Sequence, residues 1–191
     1  ANCTDVVLAP GATEICTITN DDDPASLVLA KAVTTDNGGT AVASDWTLSA
    51  GGNDVTGSVA GAEATNVAGT YALSESGPAG YTNTSLTCDD APGNEVTSVT
   101  VSLGETITRT FVNDDDVPSL TLVKEVINDD DGTSVPADWT LTAAGPTGFS
   151  GDGPSVSSDA AFDAGTYDLS ESGPAGYAAS DWVCLGGTQV D

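Results

Sequence analysis

The stretch Tyr71-Ala72-Leu73-Ser74-Glu75-Ser76-Gly77-Pro78-Ala79-Gly80-Tyr81 returns almost unchanged as Tyr167-Asp168-Leu169-Ser170-Glu171-Ser172-Gly173-Pro174-Ala175-Gly176-Tyr177. Tyr, Leu and Glu at every second position share one face of a strand, and the Gly-Pro-Ala-Gly that follows ends that strand in a turn. The repetition extends outward. SLVLAKAV from Ser26 returns as SLTLVKEV from Ser119, and SDWTLSA around Trp46 returns as ADWTLTA around Trp139. The offset is 93 residues through the two tryptophans and 96 afterwards, so the second copy carries a three-residue insertion between Gly145 and Asp159. Repetition over this period, with short alternating segments between Gly, Pro, Asn and Asp clusters and no helical period, describes stacked β units.

The repeat runs off both ends. Thr4–Asp23 (TDVVLAPGATEICTITNDDD) aligns with Thr97–Asp116 (TSVTVSLGETITRTFVNDDD), which closes the first full copy. Residues 1–20 are therefore expected to be the closing strands of a sandwich that begins elsewhere. Residues 21–113 form a complete sandwich, and residues 114–191 a sandwich without its last two strands. The expected fold is all-β, a tandem of immunoglobulin-like or prealbumin-like β-sandwiches of about seven strands in about 95 residues each. Trp46 and Trp139 would be the largest core elements.

Composition narrows the function. With 29 acidic residues, three basic ones and no histidine, the chain carries a formal net charge of -26. Such a polyanion is repelled by nucleic acid and by anionic lipid, and attracts divalent cations. No apolar run is long enough for membrane insertion. Ala1 reads as a mature end left by signal-peptide removal, which places the protein outside the cell.

The only two lysines, Lys31 and Lys124, occupy the same repeat position, behind two leucines on the inward face of the first strand. Glu75 and Glu171 also face inward, and Asn113 and Asn20 end the closing strands. A buried amine that loses its proton becomes a nucleophile, and an adjacent glutamate can shuttle protons while polarising an asparagine amide. The set points to an autocatalytic Lys–Asn isopeptide bond: Lys31, Glu75 and Asn113 in the first copy, Lys124, Glu171 and the Asn20 of a following copy in the second. Without the bond, the same lysine and glutamate would form a buried ion pair.

In these residues the chain resembles the collagen-adhesin B-type domains (SpaA-like, prealbumin-like fold) of bacterial surface proteins and pilins. Tyr71-x-Leu73-x-Glu75 and Tyr167-x-Leu169-x-Glu171 match the segment that supplies the acid in that family. The resemblance implies a first-strand lysine bonded to a last-strand asparagine, a stalk or fibre role, and no turnover catalysis.

An unfinished second sandwich would expose a sheet edge. Either the sequence is a window of a long tandem-repeat polypeptide, or residues 1–20 of one copy complete the sandwich of its neighbour by donor-strand complementation. Both arrangements are head-to-tail and produce a filament. Cys184 is the repeat equivalent of Cys88, and Cys16 of Arg109, so Cys16 and Cys184 could pair across chain ends, leaving Cys3 and Cys88 as a second pair.

The acidic runs Asp21-Asp22-Asp23 and Asp114-Asp115-Asp116 follow the closing asparagines. Asp36-Asn37 and Asp129-Asp130-Asp131 follow the lysine strands. If the first and last strands run parallel, these groups meet at the sandwich junctions and offer oxygens to Ca²⁺; otherwise they are solvated acidic linkers. The competing functions are weaker. A Ser-His-Asp enzyme is impossible without histidine. An adhesin that binds a glycan or matrix ligand lacks an evident stacking face, because the few aromatics sit at repeat positions. Asn83-Thr84-Ser85 and Asn2-Cys3-Thr4 match a glycosylation pattern that carries no weight in a bacterial protein.

Overall fold

The computed structural model describes residues 5–88 and 97–187. Its regular structure is β throughout except for two short 3-10 turns, Ala43–Asp45 and Pro136–Asp138. The first sandwich has eight strands: β1 (Ser26–Thr34), β2 (Thr47–Ala50), β3 (Asn53–Thr56), β4 (Ala62–Thr65), β5 (Gly69–Ser76), β6 (Tyr81–Cys88), β7 (Ser98–Val101) and β8 (Thr106–Asp115). They form two sheets, ordered β4-β1-β8-β6 and β3-β2-β5-β7. Leu27, Leu29, Trp46, Leu48, Val101 and Phe111 fill the space between them. β2 and β3 join through Gly51 and Gly52, both at positive φ (59° and 91°), the backbone that a two-residue hairpin of type I′ requires.

The pairing of β1 with β8 organises this sandwich. The two strands run parallel, in unbroken register from Ser26 opposite Thr106 to Thr34 opposite Asp114. A parallel pair cannot be closed by a hairpin, so the connection between the first and last strands carries the six strands in between. β1 buries Leu27, Leu29 and Lys31, and β8 buries Arg109, Phe111, Asn113 and Asp115 at every second position.

The second unit repeats the first as far as it goes. β9 (Thr121–Val123) corresponds to β1, and β10 (Thr140–Ala144), β11 (Phe149–Asp152), β12 (Ser155–Ser157) and β13 (Asp168–Ser172) correspond to β2 to β5. Their order is β11-β10-β13 and β12-β9. The buried cluster shrinks to Leu122, Trp139, Leu141 and Ala143. Residues 177–184, the counterpart of β6, form no strand. In the first sandwich β6 is hydrogen-bonded to β8 alone, and among the described residues of the second unit no strand stands in the place of β8. β9 is likewise a third the length of β1, three residues against nine.

Residues 5–20, expected as closing strands, form no strand in the single chain. Val7, Ile15 and Ile18 are 96%, 87% and 88% exposed. An extended segment has its backbone groups satisfied by water until a sheet edge takes them up. The smaller core predicts two unfolding steps. In urea, followed by tryptophan fluorescence, the second unit should melt first. Leu141→Ala should lower that step and Leu48→Ala the later one, each by about 2–5 kcal/mol. One transition moved equally by both variants would contradict this division.

Candidate functional site: a buried lysine, glutamate and asparagine

Three elements of the first sandwich converge on Lys31. The β1–β8 register puts Val33 opposite Asn113, so Lys31 and Asn113 lie diagonally across the parallel pair on the inward face. Glu75 comes from β5 in the facing sheet, with its side chain 13% exposed while Lys31 is fully buried. Lys31 Nζ donates to Glu75 Oε2 at 2.7 Å and also to Asn113 Oδ1. The Trp46 ring lies 4.5 Å from Nζ and packs edge-on against Tyr81 at 5.3 Å, closing the inner side of the site to water. Burial pushes the Lys31 ammonium below its usual range, opposed by the hydrogen bond and the negative charge of Glu75.

Local sequence explains how each side chain is held. The aspartate of each Asp-Trp pair accepts from a backbone N–H, Asp45 from Val42 and Asp138 from Val135, both at 2.8 Å, which fixes the turn that delivers the tryptophan. The tyrosine of each Tyr-x-Leu-x-Glu segment donates to a carbonyl four residues back, Tyr71 to Val67 and Tyr167 to Asp163, both at 2.8 Å. The glycine two residues after each glutamate lies against the tryptophan: a Cβ on Gly77 would collide with Trp46, and one on Gly173 with Trp139.

One further residue belongs to the site. Asn83, on β6 opposite Asn113, donates from Nδ2 to Glu75 Oε1 at 2.7 Å and to Asn113 Oδ1 at 3.4 Å. In the sequence it stands in a glycosylation-like triplet, and nothing in its spacing marks it as a partner of the glutamate. Its repeat equivalent is Ala179, so the second unit lacks it.

The second centre is half assembled. Lys124 Nζ donates to both oxygens of Glu171, at 2.9 and 2.7 Å, and lies 4.8 Å from the Trp139 ring. Its side chains are 15% and 19% exposed. Asn20 is exposed and takes no part. Where β8 would lie, the second unit has open space. A cavity of about 700 Å³ is lined by Leu120, Leu169, Trp182 and Cys184, and one of about 450 Å³ by Lys124, Val126, Trp139, Glu171 and Tyr177. Cys16 and Cys184 are exposed and unpaired within the chain; Cys3 and the side chain of Cys88 fall outside the described residues.

Of the acidic residues, Asp36, Asp114 and Asp115 bring carboxylate oxygens within 4.8 Å of one another. Asp115 is buried and accepts from the backbone N–H groups of Asp36 (3.0 Å), Asn37 (3.0 Å) and Gly39 (2.6 Å). It is thereby a clamp on the loop after β1, and only Asp36 and Asp114 keep oxygens free for a cation. Asn37 enters through its backbone. Asp21, Asp22, Asp23, Asp116, Asp129, Asp130 and Asp131 are exposed and join no such cluster among the described residues.

A family profile described as a prealbumin-like fold domain of the SpaA type matches residues 22–111 and again residues 115–191. The chain belongs to that family. No curated protein and no solved structure gives a significant match. The two profile matches divide the prealbumin-like chain where the repeat does, each spanning one lysine strand and one Tyr-x-Leu-x-Glu strand. In either prealbumin-like unit the tryptophan should cover the amine only while the nearby glycine stays bare. Gly77→Ala should destabilise the first unit by about 1–3 kcal/mol and shift Trp46 emission to the red. An unchanged spectrum and midpoint would show that Trp46 does not lie where Gly77 admits it.

Proposed function

We propose that this protein is a structural subunit of an extracellular filament, pilus or surface stalk, made from copies of itself joined head-to-tail. Residues 5–20 of one copy supply the closing strands of the next copy's second sandwich, and Lys–Asn isopeptide bonds lock the strands. One observation carries the reading: the same lysine–glutamate pair occurs twice, closed by Asn113 on β8 in the first unit and open beside a groove in the second. The segment that matches β7 and β8 in sequence meanwhile lies unpaired in solvent. At the constant offset of 93, Val6, Leu8 and Ile18 take the places of Val99, Val101 and Phe111, all buried in the first sandwich.

The chemistry is a single self-modification. The neutral Nζ of Lys31 attacks Cγ of Asn113, and a C–N bond forms. Glu75 takes the proton released from Nζ and gives it to the amide nitrogen. The original C–N bond then breaks and ammonia leaves, with no change in oxidation state. Asn83 Nδ2, already directed at Asn113 Oδ1, donates to the oxygen as negative charge develops on it. In the second unit Lys124 and Glu171 act in the same way on Asn20 of the incoming copy.

Intact mass measurement tests the first bond. The wild-type chain should be lighter than its sequence by one ammonia, and Glu75→Gln and Asn113→Ala should each restore the unmodified mass. Concentrated wild type should also give a ladder on denaturing, reducing gels, and Asn20→Ala should remove it. An unmodified wild-type mass, or a ladder that survives Asn20→Ala, would sink the covalent reading.

A further inference from the structure

We infer that Cys16 of one copy forms a disulfide with Cys184 of the next, and that this bond sets the register in which Asn20 meets Lys124. The inference rests on the strand complementation proposed above and adds a second, redox-dependent link to it.

The first sandwich supplies the geometry. β6 and β8 pair antiparallel, with the backbone of Cys88 directly opposite Arg109, Leu86 opposite Phe111 and Asn83 opposite Asn113. Transferred to the second unit, Cys184 takes the place of Cys88, and Cys16 of the incoming segment takes the place of Arg109. Directly opposed residues of an antiparallel pair have Cα atoms about 4.5–5.5 Å apart, within the span of a disulfide. Arg109 and Phe111 both point inward and are buried, so Cys16 and Ile18 would share that face, with Asn20 two residues further along it. Cys184 lines the larger cavity beside Trp182, at the edge the incoming strand would occupy. Both cysteines are exposed and free in the single chain, and therefore available to another copy. The bond cannot form inside the first sandwich, because the position opposite Cys88 there is an arginine.

The consequence is register. A strand advances about 3.3 Å per residue, so a slip of two residues keeps the same face inward but carries Asn20 about 7 Å along the groove. A disulfide four residues before Asn20 excludes that slip. In the oxidation, both S–H bonds break and one S–S bond forms; the two protons and two electrons pass to dioxygen, giving hydrogen peroxide.

The test uses two full-length variants that can form the Cys16–Cys184 bond only with each other. Asn20→Ala with Cys184→Ser keeps Cys16, and Asn20→Ala with Cys16→Ser keeps Cys184; neither can form the isopeptide between copies. They are mixed from denaturant and refolded in air. A dimer on non-reducing gels, lost on reduction, with a mapped peptide linking Cys16 to Cys184, is the expected result. Light scattering of the same mixture under reductant separates the two readings. Association without the Cys16–Cys184 peptide in air would overturn the disulfide and leave complementation standing, whereas no association in either condition would remove both. In a chain that keeps Asn20, replacing both cysteines by serine should slow the reduction-resistant ladder severalfold. An unchanged rate would overturn the register role.

Discussion

A fully buried ammonium is the constraint around which the first sandwich is built. Lys31 sits behind two leucines with no exposed surface, and among the described residues Glu75, Asn113 and the face of Trp46 answer its charge. Removing one partner of such a pair strands the other, which in comparable cases costs about 3–5 kcal/mol. Glu75 and Asn113 come from two different sheets, and Asn113 reaches the lysine only because β8 lies parallel to β1. The chemistry of the site and the closure of the fold are thus one requirement. The proposed covalent Lys–Asn bond would remove the charge altogether and join the first and last strands of the sandwich.

The second unit shows what the same sequence does without that closure. Trp139, Tyr177, Lys124 and Glu171 repeat the arrangement of Trp46, Tyr81, Lys31 and Glu75, down to an edge-on ring contact of 5.1 Å where the first unit has 5.3 Å. These contacts therefore involve only β1, β2, β5, the turn before β2 and the tyrosine after the Gly-Pro-Ala-Gly turn, and are present in the second unit without a closing strand. What is lost is non-local: the strand expected over residues 177–184, most of the length of β9, and the exclusion of water from the lysine.

Charge works on two scales in this molecule. At long range, a net charge of -26 opposes any association between copies. At short range, single carboxylates are used with economy. Asp115 ties down a loop through the backbone donors of Asp36, Asn37 and Gly39, and Asp45 and Asp138 fix the turns before the tryptophans. The residues at equivalent positions in the second unit make the parallel visible: Asp129, Asp130 and Gly132 correspond to Asp36, Asn37 and Gly39, and Asp22 to Asp115. In the proposed assembly an incoming copy would bring its own clamp.

The β architecture, the two-fold repeat and the inward face carrying Lys31, Glu75 and Asn113 were all legible in the sequence. Strand alternation reports which side chains share a face, and an internal repeat shows the same choice made twice. Alternation does not report which strands become neighbours. Asn83 resembled a surface triplet until β6 paired with β8, Asp115 resembled a member of an acidic linker until the loop after β1 folded over it, and Trp46 was a core residue before it was the roof over an amine. Those roles depend on contacts between residues tens of positions apart, which only the folded chain brings together. Residues 5–20 form no strand within the chain, so no contact between its elements reports what they pair with.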